Sequence, residues 1–421
     1  MILLYNLLEY SVFIKSFILI GGFLLFHKEI DLLNQYLVEE YVGYQDKKDI
    51  INKMDFSNIN DFYVDVTTQL NRLHDPHVRI IDKLNEKKVT ILCKNINGRL
   101  FVDKSIHSEI ERGEEIIEIG GLPICDIISK EKELLFDPNP ERYEWHNVLR
   151  KYQNVKLANG TNKKVFLTSS QELYDQDYII EQREGYCFIK LPDFRDVNKL
   201  HEIIKSNVDI LQSNKKFIID VRDNRGGSDF AYYPLLEYIF PPNHELQIDY
   251  GLSFNYTKKY CDHMIAKVDK DLEKMDEGET KQSFKAYRDR MADNYAKGMV
   301  KFSDDIEPII LDGVADGITV IVLANERCGS SGDNFVATVK ESEFVTVIGR
   351  ATKGMNDYAN CGYLHLNDQF DLLCPYSRYN GLDHGESMAL RGIAPDIEIL
   401  STLEDFQKDV MMEKALELLE I

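Results

Sequence analysis

The sequence predicts an α/β protein: a β/α core, a helical N-terminal segment, and a small β-rich module set between them. Three patterns predict it. From about residue 171 the apolar runs GYCFIKL, KFIIDVR, ITVIVLA and FVTVIGR, each of strand length, alternate with the helically spaced stretches LHEIIKSNVDILQS and GDNFVATVKES. Continuous apolar strands separated by helices belong to a sheet covered on both faces, with functional residues at the strand ends. Residues 88–170 carry shorter strand-like runs broken by turns, and residues 28–87 have helical spacing. At 421 residues the chain can hold two or three units, each with its own core.

Residues 1–27 are a hydrophobic segment. Positions 2–26 are largely apolar and 17–26 (FILIGGFLLF) carry no charge, but Glu9 and Lys15 interrupt the run. The uncharged piece is shorter than the ~20 residues a bilayer span prefers, and no small-residue cleavage site follows it. Its reading favours a membrane anchor, and with it membrane association through residues 2–26 and an extracytoplasmic body, over an uncleaved signal or a helix packed on the protein. The scattered cysteines pull the other way, toward a reducing, cytoplasmic compartment.

From Glu29, the residues Ile30, Leu33, Leu37, Val38 and Tyr41 fall on one helical face, and Phe62, Val66, Leu70 and Leu73 on another, which Pro76 ends. In 88–170, KVTILC, RLFVD, EEIIEIGG and KKVFLTSS read as strands, with NGR, GGLP and ANGTN as turns and one helix near 126–135. The β/α core spans 171–421. Inside it, 256–300 reads as a charged helical insertion: a solvated helical pair on the plain reading, a lid over a site on the sharper one.

Composition bounds the function. An apolar fraction of 44% and an aromatic fraction of 11% describe a globular chain. The net charge of -21, from 71 acidic and 50 basic residues, argues against nucleic acid, which needs a basic face. Seven cysteines with no CxxC and no His/Cys pair at ligand spacing give neither a zinc site nor a disulfide framework, so no metal and no cofactor are expected.

The chemistry-bearing stretch is Cys328-Gly-Ser-Ser-Gly-Asp333, between ITVIVLANER and NFVATVKE. A buried strand that turns on glycines into a helix presents Ser330 or Ser331 where backbone amides converge, as a nucleophilic serine and its oxyanion require. Taken alone it is only a Gly-Ser turn. Three more segments accompany it. Asp220-Val-Arg-Asp-Asn-Arg-Gly-Gly227 ends an apolar strand with two glycines that let a substrate carbonyl approach; His77 lies in LHDPHV; and Gly385-Glu-Ser precedes RGIAPDIEIL.

Together these segments resemble the superfamily of C-terminal processing peptidases, tricorn-type proteases and interphotoreceptor retinoid-binding protein. The "D-x-R-x-N-x-G-G" pattern is met by Asp220, Arg222, Asn224, Gly226 and Gly227, and "S-S-G-E" by Ser330 to Asp333 with Asp in place of Glu. "L-x-D-x-H" is met by Leu73, Asp75 and His77, and "G-[IV]-x-P-D-I" by Gly392, Ile393, Pro395, Asp396 and Ile397, all in the family's order. The resemblance implies a ClpP/crotonase-like β/α protease core and a PDZ-like module at 88–170, with RGEEIIEIGGLPICDII at the family's "G-D-x-I-x-x-I-N-G" element.

It also implies roles. Ser330 would be the nucleophile, the amide of Ser331 one oxyanion donor, and an amide of Gly226 or Gly227 the other. In one branch a lysine in "G-x-x-x-x-G-K" is the base; here that stretch is GRATKGMN, Met355 holds the lysine position, and Lys353 lies two residues short. The tricorn-like branch uses a histidine oriented by a glutamate, which His77 and Glu386 match, with Asp383 and His384 close to the latter. A histidine suits proton transfer in both directions, its ordinary pKa being ~6.5. The expectation is a serine endopeptidase of the His-dependent branch acting on peptide or protein substrates. The rivals are a non-catalytic ligand- or peptide-binding protein on the same fold, a hydrolase of small esters or amides, and a Ser/Lys peptidase using Lys353.

Overall fold

The structure, a computed structural model, describes residues 26–84, 87–246, 250–273, 275, 277–301 and 309–420. Helix α1 (His27–Glu39) turns Leu33, Tyr36 and Leu37 inward, while Val38, expected on that face, is exposed. Helix α2 (Phe62–Leu70) starts on Asp61, whose carboxylate accepts the Val64 N–H. After it comes a single 3₁₀ turn, then His74 at φ 50, which reverses the chain before strand β1 (Arg79–Asp82).

An antiparallel sheet follows, built from β2 (Ile91–Ile96), β3 (Arg99–Ser105), β4 (Glu115–Ile119), β5 (Asn154–Leu157) and β6 (Asn162–Lys164) in that spatial order. The helix expected near 126–135 is present as Ile124–Lys130 and Lys132–Leu135. A further one, α3 (Trp145–Tyr152), was not legible in the pattern. Ile91, Leu100, Val102, Ile119, Val148 and Val155 close this sheet's own core.

The rest of the chain is β/α. In order it comprises β7 (Ile179–Arg183), β8 (Tyr186–Lys190), α4 (Val197–Ser206), β9 (Lys216–Asp220), β10 (Leu252–Tyr256), α5 (Lys258–Leu272), α6 (Glu279–Asp293) and β11 (Gly298–Lys301). These are followed by β12 (Thr319–Ala324), α7 (Ser331–Val339), β13 (Val345–Gly349), β14 (Tyr358–His365), β15 (Phe370–Tyr379), β16 (Ile397–Glu398) and α8 (Val410–Leu418). One six-stranded sheet has the order β7-β8-β9-β12-β13-β16, parallel from β8 onward. Its apolar runs alternate between two covered faces. Phe217, Ile219, Val320 and Val322 pack with Leu200, Phe335 and Val336; Ile218, Ile321, Leu323 and Ile348 pack under Met411 and Ala415 of α8. That two-sided burial is why these strands read as unbroken hydrophobic runs.

In the second sheet β15 carries β14 on one edge and β1 and β10 on the other. Its core includes Leu37, Phe62, Leu70, Ile80, Phe254, Tyr260, Met264, Leu372 and Tyr376, so the N-terminal helices and α5 share one apolar cluster. The 256–300 stretch is therefore not simply a solvated pair: Tyr260, Cys261, Met264, Val268 and Met291 are buried. Among the described residues no helix is long and apolar enough to cross a membrane. Residues 1–25 of the hydrophobic segment lie outside the described residues.

Candidate active site

The carboxyl ends of β9, β12 and β13 converge, as expected for functional residues in a parallel sheet. Asp220, the last residue of β9, takes Arg222 Nε on Oδ1 at 2.9 Å and Arg222 Nη2 on Oδ2 at 2.6 Å, and Arg222 continues to Asp409 at the start of α8. Asn224 is fully buried at 0% exposure and ties three loops together. Its Nδ2 donates to Leu191 O (2.9 Å), its Oδ1 accepts Gly226 N–H (2.8 Å), and its carbonyl accepts Gly329 N–H (2.8 Å). The Asp, Arg and Asn of this motif are thus a brace that sets the glycine loop against the serine turn. A Cβ on Gly226, at φ 75, would lie 2.6 Å from Ser330 Cβ, so only glycine lets the two loops meet.

Ser330 occupies the turn before α7 with φ 60 and ψ -124, a conformation rare for a residue with a side chain. It is held there by Asp333, whose Oδ2 accepts Ser330 N–H at 2.8 Å and Met355 N–H at 2.9 Å and whose Oδ1 accepts Gly354 N–H at 2.8 Å. Asn356 Nδ2 donates to Ser330 O at 2.7 Å. The GRATKGMN stretch is therefore strapped to the serine turn through one buried carboxylate. Burial pushes the Asp333 pKa up against the pull of these donors.

His77 arrives from the other sheet. Its backbone N–H donates to Asp75 Oδ1 at 3.0 Å, and Asp75 Oδ2 accepts Tyr41 O–H at 3.0 Å, which fixes the turn. The ring is 5% exposed, with Nδ1 2.6 Å from Tyr358 O and Nε2 3.2 Å from Ser330 Oγ. A carbonyl can only accept, so Nδ1 carries the proton and the Nε2 lone pair faces the serine hydroxyl. The residues of LHDPHV and SSGD, 253 positions apart in sequence, are thereby in hydrogen-bond contact.

The sequence pattern of peptidase family S41 matches residues 185–399, half of the chain, and that stretch holds Ser330 and both glycines. This chain belongs to peptidase family S41. It is a serine-type peptidase, and its likeness to the C-terminal processing peptidases is borne out. No curated protein matches it. Among solved structures it is similar to mature CPAF complexed with lactacystin: 15% identity over 93% of this chain and 97% of that one, at a TM-score of 0.58. It is also similar to mature CPAF (14% identity, 93% and 96% covered, TM-score 0.56). The photosystem II D1 C-terminal processing protease matches at 12% identity, 89% and 93% covered, with a TM-score of 0.45.

Within this S41 chain, not every residue the sequence singled out is brought to the serine. Glu386 is exposed and is not a hydrogen-bond partner of His77; the Tyr358 carbonyl holds Nδ1 instead. Asp383 pairs with Arg378 at 2.8 Å, and His384 stacks on Tyr250. Gly226 N–H is already committed to Asn224, so of the two glycines it is Gly227, with Ser331, whose amide makes no protein hydrogen bond among the described residues. Lys353 Nζ is ion-paired with Glu144 near α3, and Met355 contributes its backbone N–H to Asp333. Sequence reasoning missed Tyr358 and Asn356. Asn356 stands in the GRATKGMN stretch it had singled out, whereas a backbone carbonyl leaves no trace in residue type.

The electrostatics keep the His77 ring uncharged. Burial, then the positive charge of Arg79, pulls His77 down to about 4, so the ring is neutral at physiological pH. Burial pushes Asp75 up to about 7. Cys328, buried beside the serine turn, is pushed well up by burial and by Asp333, so its thiol stays protonated.

Proposed function

We propose that this S41 chain is a serine endopeptidase of the His-dependent type. His77 Nε2 takes the Ser330 Oγ proton as the oxygen attacks a peptide carbonyl, and the amides of Gly227 and Ser331 receive the oxyanion. His77 returns the proton to the leaving amine, and water then hydrolyses the acyl-enzyme by the same steps in reverse. The 3.2 Å contact between His77 Nε2 and Ser330 Oγ carries this reading, because the Nδ1 bond to Tyr358 O leaves the lone pair on the nitrogen that needs it. In this reading Tyr358 O takes the orienting place expected for Glu386, and Asp75 fixes the backbone of the turn. Residues 171–421 form the ClpP/crotonase-like catalytic core, and 88–170 a PDZ-like module whose outer strands suit capture of an extended peptide by strand addition. Residues 28–87 deliver the histidine.

The test is hydrolysis of casein by the full-length protein beside Ser330→Ala. Cleavage by the first and none by the second, with melting temperatures nearly equal, is the expected result. Residual turnover by Ser330→Ala above a few per cent would sink the assignment.

A further inference from the structure

The loop that bears the candidate oxyanion glycines also bears a cation without an anion. Arg225 directly precedes Gly226, and its guanidinium carbon sits 4.1 Å from the centroid of the Tyr174 ring. Its Nε is buried and makes no hydrogen bond, and among the described residues no carboxylate is ion-paired with it. The other arginines around the site are different. Arg142 meets Asp137 at 2.9 Å, Arg222 meets Asp409 at 2.7 Å, and Arg327 and Arg350 meet Asp223 and Glu326, each at 2.6 Å. Asp193, whose charge bears on Arg225, is already occupied by Tyr178 O–H at 2.5 Å and Arg195 N–H at 3.0 Å.

Arg195, whose charge acts against Arg225, has its own anion in Asp193 at 4.0 Å, so Arg225 is the one of the two left without an anion. A half-desolvated guanidinium is unfavourable until an anion joins it. A net charge of -21 makes an unmatched cation here the opposite of the chain's general character. A planar guanidinium is the side chain best matched to a carboxylate.

We propose that Arg225, on the glycine side of the Ser330–His77 pair, receives a carboxylate of the substrate next to the bond that is cut. The peptidase would then prefer an acidic side chain at that place. This rests on the reading of Ser330 and His77 given above.

The test uses the full-length protein and quenched-fluorescence peptides from an unstructured casein segment, in four forms. Acidic side chains are kept or replaced by Asn and Gln, and the C-terminus is an acid or an amide. Replacing the acidic side chain should lower kcat/KM about tenfold or more. A loss on side-chain replacement supports the proposal; a loss on amidation alone overturns it. In Arg225→Gln the ratio between charged and neutral forms should fall toward one, while Arg225→Lys keeps much of it. Because the ratio is taken within each variant, a smaller folded fraction does not alter it. Equal cleavage of all four forms by the wild type overturns the proposal and leaves the peptidase reading intact. If the wild type cuts none of them, the peptidase reading fails, and fluorescence anisotropy of the labelled forms decides. Tighter binding of the charged form then supports the carboxylate site, and equal binding removes it.

Discussion

The Asp333 carboxylate accepts the backbone N–H of Ser330 at 2.8 Å, on the same oxygen that accepts Met355 N–H. That bond is what keeps Ser330 at φ 60, a conformation that costs ~1–3 kcal/mol for a residue with a side chain. In Asp333→Asn one acceptor oxygen becomes an NH₂ group, so a donor must face one of three backbone N–H groups. The expected result is a stability loss of about 2 kcal/mol or more and a fall in casein cleavage larger than the lost folded fraction explains. Urea unfolding beside a rate assay checks it; a variant as active per folded molecule as the wild type would show that Asp333 does not position the serine.

Tyr358 O, not Glu386, is the acceptor at His77 Nδ1. His77→Ala should therefore lower kcat/KM by ~10²–10⁴, whereas Glu386→Gln, at an exposed position, should change it by no more than about twofold. Lys353→Met breaks the ion pair with Glu144 and should act on stability more than on turnover. If Glu386→Gln were as damaging as His77→Ala, the glutamate must reach the ring when substrate binds. If Lys353→Met were the most damaging, the base is the lysine.

The pH dependence follows from the buried histidine. With His77 held at about 4 by burial and Arg79, the acid limb of kcat/KM should fall near pH 4 instead of ~6.5. Arg79→Gln should move that limb upward. Stability is a poorer readout, for a reason of sign. The lowered His77 pKa means the unfolded chain binds more protons between about 4 and ~6.5, so this stability is complete above ~6.5 and lost as pH falls. Asp75, raised to about 7, contributes stability that is complete below ~3.9 and lost as pH rises to about 7. The two oppose each other over the same window, so the rate profile, not the melting temperature, carries the test. A limb at ~6.5 would mean that water reaches the ring in solution.

The parallel strands were legible because both of their faces are buried: Phe217 to Ile219 and Val320 to Leu323 admit no polar interruption. The serine turn and the Asp220–Gly227 loop were legible because their geometry demands particular residue types, with glycine where backbones touch and Asn224 where one side-chain amide both donates to Leu191 O and accepts Gly226 N–H. The β14–β15 hairpin was not, since Asn360 at φ 54 and Pro375 break its alternation. Helix α3 escaped because its eight residues give the helical period too little length to appear. The His77 partner escaped because any residue at 358 supplies a carbonyl. The missing partner of Arg225 is a property of space, not of order along the chain.

The 256–300 stretch divides into two roles. Met264 of α5 is buried in the cluster shared with the N-terminal helices, so Met264→Ala should cost ~2–5 kcal/mol, and removing the whole stretch should unfold that half of the protein. Phe284 of α6 instead packs on Phe230, ring centroids 5.1 Å apart, in the loop after the glycines. From there Asp229 accepts Asn334 Nδ2 at 2.9 Å, and Asn356 Nδ2 reaches both Asn334 Oδ1 and Ser330 O at 2.7 Å. A push at Phe284 is therefore four side-chain contacts from the serine. Phe284→Ala should change the ratio of casein to short-peptide cleavage while moving the melting temperature little. A large drop in melting temperature with an unchanged ratio would make α6 a structural brace only.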